Sequence, residues 1–420
     1  MAYIDLKYKP SKDDVICLFY LEPNDMPFEK ACEHIAAESS IGTWTELTTL
    51  DAKTRDRLQA RVFKIDKKAG IAHIAYPLEL FELGNMPCVL SSVAGNIFGM
   101  RAVNNLRLLD IGFPMKMVKS FRGPKFGIPG IRDLLKVYDR PLVGTIIKPK
   151  VGLGYKDHAR VAYESWAGGM DIVKDDENLT SQTFNPFDKR IKETLRLRDK
   201  AEKETGEKKV YMANVTAETT EMLRRAEYVK QCGGEYVMVD ILTCGFSGLQ
   251  TLREADLGLV IHAHRAGHAM LTRNKKHGMT MLTLAKIIRL IGLDQLHIGT
   301  IVGKMEGGAQ EVIDIERSIQ DSFIEAHDGV LEQEWYGMKP TFPVCSGGLH
   351  PGHVPAIMGY LGKDIILQSG GGCHGHPDGT CSGATAMRQA VDAAVQGESL
   401  TEYAKSHKEL KKAIAKWGLK

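Results

Sequence analysis

Between residues 140 and 372 the chain repeats one pattern. A short apolar run ends on polar or glycine residues and is followed by a segment of helical spacing. The runs are 142–148, 171–174, 210–214, 236–240, 259–264, 296–302, 342–346 and 365–368. They recur at intervals of about 32 residues, the size of a strand–helix–strand unit. Strands that alternate with helices pair in parallel, and eight of them close into a (β/α)8 TIM barrel, an α/β fold. With 420 residues, the chain exceeds one such barrel by roughly 170 residues.

The surplus lies at both ends. Residues 1–125 read as an N-terminal α+β domain, and 126–420 as the barrel domain with a C-terminal helical extension. In the first part, 15–21 is an expected strand ended by Pro23. The stretch 28–37 has helical spacing of Phe28, Ala31, Cys32, Ile35 and Ala36. A β-hairpin is expected over 61–76, around Lys67-Lys68-Ala69-Gly70, because a glycine-containing break separates two β-rich runs. A second helix falls between 86 and 98. From about residue 373 further helices are expected, ending in a lysine-rich amphipathic helix over 401–416 that reads as a solvated face.

Charge and cysteine usage exclude several classes. Lys plus Arg number 55 against 52 for Asp plus Glu, so the formal charge is +3. That near-balance leaves no electrostatic footprint for nucleic acid or an anionic membrane. The chain has no run of 18 apolar residues to span a bilayer. Met1-Ala-Tyr-Ile-Asp-Leu-Lys7 lacks the basic region and apolar core of a signal peptide. Cysteines 17, 32, 88, 232, 244, 345, 373 and 381 form no Cys-x-x-Cys pair, so they read as reduced thiols and place the chain in the cytoplasm.

In barrels of this kind the reaction site lies at the C-terminal ends of the strands. Here those ends carry Lys148 and Lys150, Lys174-Asp175-Asp176-Glu177, Asn214, Asp240, His264-Arg265, His297, Ser346-Gly347-Gly348 and Gly370-Gly371-Gly372. Packing alone would put Val, Ile and small residues there. In Asp171-Ile-Val-Lys174-Asp-Asp176-Glu177-Asn, strand alternation points Lys174 and Asp176 to one side. Two carboxylates suit Mg²⁺, a hard cation that keeps water positions open. A buried lysine has a lowered pKa, and CO₂ could turn its neutral amine into a carbamate, a third oxygen ligand. A simple Lys–Asp ion pair inside the barrel is the competing reading of that segment.

Other segments add to the pattern. In Gly144-Thr-Ile-Ile-Lys148-Pro149-Lys150, one lysine could act as a base and the other could pair with an anionic substrate. In His262-Ala-His264-Arg265-Ala-Gly-His268, imidazole can move protons and guanidinium can grip phosphate. The glycines of 346–348 and 369–372 follow strands seven and eight, where barrels often bind phosphate. With Arg265 and His297 they suggest a substrate phosphorylated at both ends. Gly303-Lys304-Met-Glu-Gly307-Gly308 has the composition of a lid that swings a cation over substrate.

Taken together these residues resemble the large subunit of ribulose-1,5-bisphosphate carboxylase/oxygenase (RuBisCO). The resemblance rests on Ala36-Ala-Glu38-Ser-Ser-Ile-Gly-Thr43-Trp44, Gly95-Asn96-Ile-Phe-Gly99, Ile147-Lys148-Pro-Lys150, Gly168-Gly-Met-Asp-Ile-Val-Lys174-Asp-Asp176-Glu177-Asn178, His264-Arg265-Ala-Gly-His268, His297-Ile-Gly-Thr, Gly303-Lys304-Met-Glu-Gly307, Ser346-Gly-Gly and Gly370-Gly-Gly. It implies a barrel with a ferredoxin-like N-terminal domain and the addition of CO₂ and water to ribulose 1,5-bisphosphate, giving two 3-phosphoglycerate, with an oxygenase side reaction. It implies Lys174 as a carbamate that binds Mg²⁺ with Asp176 and Glu177. Lys148 would be the base at C3, and Lys304 would stabilise the charge that develops as CO₂ adds. His264 would assist proton transfer, and Lys150 would protonate or orient the product. Arg265 and His297 would hold one phosphate. Ser346, Gly347, Gly348, Gln368, Ser369, Gly370 and Gly371, with Thr43 and Trp44, would hold the other. Glu38 and Asn96 would complete the site of a partner subunit, so a homodimer would be the smallest active form, with decamers of such dimers as its extension.

Departures narrow the subgroup. Plant-type chains have Thr where Ile146 stands and Thr-Leu where Cys373-His374 follow the last glycines. The pattern resembles the archaeal form III enzymes, which need no small subunit and are associated with disposal of AMP-derived and nucleoside-derived ribose phosphate. Two alternatives are weighed against this. A RuBisCO-like enolase or isomerase of sulfur salvage usually loses substrate residues, commonly the loop lysine. A non-catalytic assembly subunit would show a broken site. Lys148, Lys174, His264 and Lys304 all stand here.

Overall fold

The computed structural model describes residues 3–43, 45, 47–302 and 308–419. The chain divides into two compact units. One comprises 1–123, 267–291 and 321–338; the other comprises 124–266, 292–320 and 339–420.

The second unit is built on a closed barrel of eight parallel strands: Leu142–Ile146, Ile172–Lys174, Val210–Asn214, Tyr236–Asp240, Val260–His264, Gln295–Gly299, Phe342–Ser346 and Ile366–Gln368. Each pairs with its successor in sequence, and the last returns to the first with Gln368 opposite Gly144. Val210–Asn214 and Tyr236–Asp240 are buried at every position. Parallel strands covered on both faces read as continuous apolar runs, which is why the eight segments stand out without alternation. Two bounds differ from expectation. The first strand stops at Ile146, because Pro149 cannot donate to a ladder. The sixth ends at Gly299 rather than 302, because Gly299 takes φ +96°, outside the strand region.

The lower end of the barrel is packed shut. Helix Gly127–Leu135 puts Ile128, Ile131 and Leu135 against Leu142, Ile172, Val210, Tyr236, Val260, Phe342 and Ile366. Buried Arg140 grips Asp171 with two bonds of 2.7 and 2.8 Å. Asp294 accepts from the Phe126 N–H at 2.7 Å and from the Ile261 N–H at 3.0 Å. Chemistry is left to the opposite ends of the strands.

The first unit holds strands Val15–Pro23, Arg61–Asp66, Ile71–Tyr76 and Val103–Gly112, with helices Phe28–Glu38 and Met86–Val93. Val15–Pro23 lies between Val103–Gly112 and Ile71–Tyr76, with Arg61–Asp66 outermost. That order, reached by β-α-β-β-α-β connections, is ferredoxin-like. The short strand Gly278–Met279 extends the sheet along Val103–Gly112. The hairpin forms at the expected place, with Gly70 at φ +72°.

The expected helix over 401–416 is two helices, Leu400–Tyr403 and Lys408–Trp417. The Ser406 and His407 side chains both turn back to the Tyr403 carbonyl, at 3.3 and 2.7 Å. The backbone is extended at His407, so one helix cannot run through. Its face is not wholly solvated either, because Leu410 and Ala413 are buried. Among the described residues no helix is long and apolar enough to cross a membrane.

Candidate active site at the strand ends

At the end of the second strand the side chains alternate as the sequence suggests. Asp175 points away from the barrel axis into a buried cluster. It takes Arg190 Nε at 3.2 Å, His158 Nε2 at 2.9 Å and the Asn214 N–H at 3.0 Å, and it accepts the Tyr211 hydroxyl. Burial works to raise the Asp175 carboxyl, but Arg190 and His158 outweigh it and hold the group well below the usual carboxylate range. Arg190 also donates to the Thr180 and Asn185 carbonyls, so it fastens the chain that follows the metal-binding candidates. Breaking one side of a buried pair costs about 3–5 kcal/mol. Arg190→Ala is therefore expected to lower the denaturant midpoint strongly, and an unchanged midpoint would contradict this assignment.

Lys174, fully buried, reaches the other way. Its Nζ donates to the Asp175 carbonyl at 2.8 Å and contacts Met238 Sδ at 2.9 Å. Its neighbour Asp176 pairs instead with Lys148, Nζ to Oδ2, at 2.6 Å. The Lys–Asp pair anticipated within the segment is thus made by a lysine that follows another strand. Burial lowers the Lys174 pKa, against the pull of Glu177 and Asp176. Glu177 is drawn to about 2 despite burial, because Lys174, His264 and Lys150 surround it. Lys150 lies 3.4 Å from Glu177 and is largely exposed.

His264 donates from Nδ1 to Asp240 Oδ1 at 2.8 Å, while its Nε2 lies 3.6 Å from Glu177. Burial lowers its pKa, and Lys174 adds to this. Asp240 therefore orients His264, and Asn214 binds the carbonyls of Asp176, Glu177 and Leu179 at 3.3, 3.1 and 3.1 Å. Both residues end strands, so the signal for them was present, but only the fold shows what they hold.

His297 completes the row. Its ring meets those of His262 and His264 edge-on, with centroids 4.7 and 4.9 Å away. Its Nδ1 lies 2.6 Å from Ser346 Oγ, while Nε2 is buried without a partner. Arg265 makes no ion pair or hydrogen bond among the described residues. Burial lowers its guanidinium to about 10. A Cβ on Gly299 would stand 2.8 Å from Arg265 Nη2, so only glycine lets this arginine lie there.

The two glycine cradles touch. A Cβ on Gly372 would fall 2.0 Å from the Leu349 carbonyl, just beyond Gly347 and Gly348. Behind them the Gln368 Oε1 and Ser369 Oγ atoms are buried and unpaired. The backbone N–H groups of the glycine cradles and, near Gly299, the buried Arg265 guanidinium are donors that suit an anion.

Oxygen donors for a metal fall one short. Among the described residues no group of three or more His, Cys, Asp or Glu side chains is placed to hold a metal ion. Asp176 and Glu177 offer two carboxylates, and the third group at the spot is the Lys174 amine. A carbamate on that amine would make the set suitable for Mg²⁺.

The other expected residues belong to the first unit. Asn96 Nδ2 donates to Glu38 Oε1 at 3.3 Å, joining the end of helix Phe28–Glu38 to the 3-10 turn Asn96–Gly99. Thr43 lines a 240 Å³ cavity with Tyr3, His34 and Ala37. Trp44 and Lys304, with Gly303 and Gly307, lie outside the described residues.

Comparison with known proteins gives a consistent picture. Residues 127–417 match the model of the ribulose bisphosphate carboxylase large chain, catalytic domain, and 2–117 match that of its N-terminal domain. The ribulose bisphosphate carboxylase of Methanocaldococcus jannaschii is 52% identical over 99% of this chain and 100% of that protein. That of Pyrococcus abyssi is 50% identical over 100% of this chain and 96% of that protein. Among solved structures, a dimeric archaeal Rubisco from Hyperthermus butylicus superposes with a TM-score of 0.94 at 46% identity, covering 99% of this chain and 98% of that one. An octameric Rubisco from Pyrococcus horikoshii OT3, in complex with sulfate ion, does so with 0.92 at 48% identity, covering 99% and 96%.

Proposed function

The chain belongs to the ribulose bisphosphate carboxylase large-chain family and is a ribulose bisphosphate carboxylase; from that premise we propose how its residues divide the reaction. The observation that carries the reading is the buried Lys174 amine beside two carboxylates, one ligand short of a metal site. Lys174, as its carbamate, would hold Mg²⁺ with Asp176 and Glu177. Bound Mg²⁺ supplies Lewis-acid polarisation of the substrate's oxygens.

Lys148, as its free amine, takes the C3 proton of ribulose 1,5-bisphosphate to give the enediolate, and Asp176 at 2.6 Å holds the ammonium that results. CO₂ then bonds to C2, and Lys304 offsets the charge that develops there. His264, oriented by Asp240, moves protons as water adds at C3 and the C2–C3 bond breaks. Lys150 protonates or orients the product. Arg265 and His297 bind one phosphate; Ser346, Gly347, Gly348, Gln368, Ser369, Gly370 and Gly371, with Thr43 and Trp44, bind the other. Glu38 and Asn96, already joined to each other, serve the site of a second copy. The active form is then a homodimer, with larger assemblies such as decamers built from it and no small subunit invoked. The same reading places the enzyme in the cytoplasm, consuming ribose phosphate released from AMP and other nucleosides.

The test is direct. Protein incubated with Mg²⁺, bicarbonate and ribulose bisphosphate is expected to form 3-phosphoglycerate. Only the neutral Lys174 amine can add CO₂, and its pKa is below that of an ordinary lysine. Activation is therefore expected to grow as pH rises from about 7 to 9 and to start at lower pH than an ordinary lysine would allow. No 3-phosphoglycerate anywhere in that range would overturn the reading. Turnover of the substrate with both bicarbonate and O₂ excluded would point to an enolase or isomerase instead.

A further inference from the structure

Nothing in the proposed reaction uses His374. It ends the one-turn helix Gly371–His374, directly after the last glycine cradle. Its ring is bonded on both sides. Nδ1 lies 3.1 Å from Thr380 Oγ1, and Nε2 lies 3.0 Å from Thr145 Oγ1.

The proton positions follow from counting donors. The Thr145 hydroxyl donates its one proton to the Ser369 carbonyl at 2.6 Å. Toward His374 it can only accept, so the proton of the neutral imidazole is on Nε2. Nδ1 is then the acceptor, filled by the Thr380 hydroxyl. Burial holds the imidazole pKa down at about 4, against an upward pull from the Ile146 backbone, and the charge of Lys148 lowers it further. The ring is neutral at any pH at which the enzyme would work.

The bonds form one directed chain: Thr380 to His374, His374 to Thr145, Thr145 to the carbonyl of Ser369. Its Ser369 end and its Thr145 link both lie beside the site. The Ser369 N–H is bonded to the Gly144 carbonyl at 3.0 Å, and the next residue, Gly370, lies so close to Lys148 that a Cβ there would stand 3.1 Å from Lys148 Cε. Thr145 itself is three residues before Lys148 on the first strand.

We propose that His374 is a positioning residue for the bisphosphate substrate: it ties the cradle at Ser369-Gly370-Gly371 to the first strand and so sets the distance between the phosphate-binding N–H groups and Lys148. The proposal rests on the reading of that cradle as a phosphate site. His374 touches neither substrate nor metal ligands, so its loss should act on binding and alignment, not on activation by CO₂.

His374→Leu removes the donor and keeps an apolar side chain of similar size. His374→Gln keeps an N–H that can reach Thr145. Losing one buried hydrogen-bond partner is expected to raise KM for ribulose bisphosphate about tenfold in His374→Leu, and the inhibition constant of inorganic phosphate by a similar factor. CO₂ and Mg²⁺ dependence of activation should stay at the wild-type value, and His374→Gln should recover most of the loss. A His374→Leu enzyme with wild-type KM and phosphate inhibition overturns the proposal. So does a His374→Gln enzyme as impaired as His374→Leu. Should His374→Leu fail to fold, Thr380→Val withdraws the donor to Nδ1 and is expected to raise both constants in the same direction; no change there overturns it equally. A wild-type enzyme that makes no 3-phosphoglycerate would defeat the carboxylase reading, whereas inorganic phosphate binding, compared between wild type and His374→Leu by calorimetry, would still decide the role of His374.

Discussion

Lys174→Ala is expected to abolish activation by CO₂ and Mg²⁺. The wild-type amine is fully buried, and its hydrogen-bonding contacts are the Asp175 carbonyl and the Met238 sulfur. In the proposed site the Lys174 carbamate adds a third oxygen to the two carboxylates beside it, and alanine cannot supply one. Truncation also leaves a void in the barrel, so Lys174→Met, which fills much of it, separates loss of the ligand from loss of packing. Both variants are expected to lack CO₂-dependent activation, and Lys174→Met is expected to keep its denaturant midpoint nearer to wild type. Retention of CO₂-dependent activity in either variant would show that the metal ligands are elsewhere.

Lys148→Met is expected to reduce carboxylation by about 10²–10⁴-fold, the contribution of a positioned general base. Exchange of the C3 proton of ribulose bisphosphate with solvent isolates that step from CO₂ addition, and it should fall in parallel. Asp176 would lose its 2.6 Å partner but keep its charge, so binding of Mg²⁺ to the activated enzyme should persist. Wild-type exchange with impaired carboxylation would move Lys148 from proton abstraction to a later step.

These two effects exceed the others because each removes a group for which the site holds no substitute. By contrast, the Asp175 carboxylate keeps His158, Tyr211 and the Asn214 N–H after Arg190 is lost, so the cost there is to stability.

Legibility varied along the chain for identifiable reasons. The barrel strands were readable because burial on both faces removes polar residues from them. Val103–Gly112 was not, since its pattern is broken by Asn104, Asn105, Arg107 and Asp110. Within the first unit, Arg107 donates to the carbonyls of Thr272 and Asn274, and Asp110 pairs with buried Lys286 at 2.6 Å. Those partners are more than 160 residues away in sequence, so no local window could show that the charges are satisfied. The break at 404–407 was hidden in another way: a lysine-rich helical period continues across it, and only the return of Ser406 and His407 to Tyr403 ends the first helix.

What the sequence determined by itself was the number and order of the barrel strands and the kind of chemistry at their ends. Both are local properties, set by runs of apolar residues and by the types of residue that terminate them. Only the tertiary structure decided which ends meet. Barrel closure brings Lys148 to Asp176, Asp240 to His264, and Thr145 to Ser369 and His374, across separations from 24 to 229 residues. Register between parallel strands is set by the whole ring of ladders, and no segment carries it alone. That is why Lys174 could be proposed as a ligand from its neighbours in sequence. The pairing of Asp176 with Lys148 and the bonds of His374 became visible only when the barrel had closed.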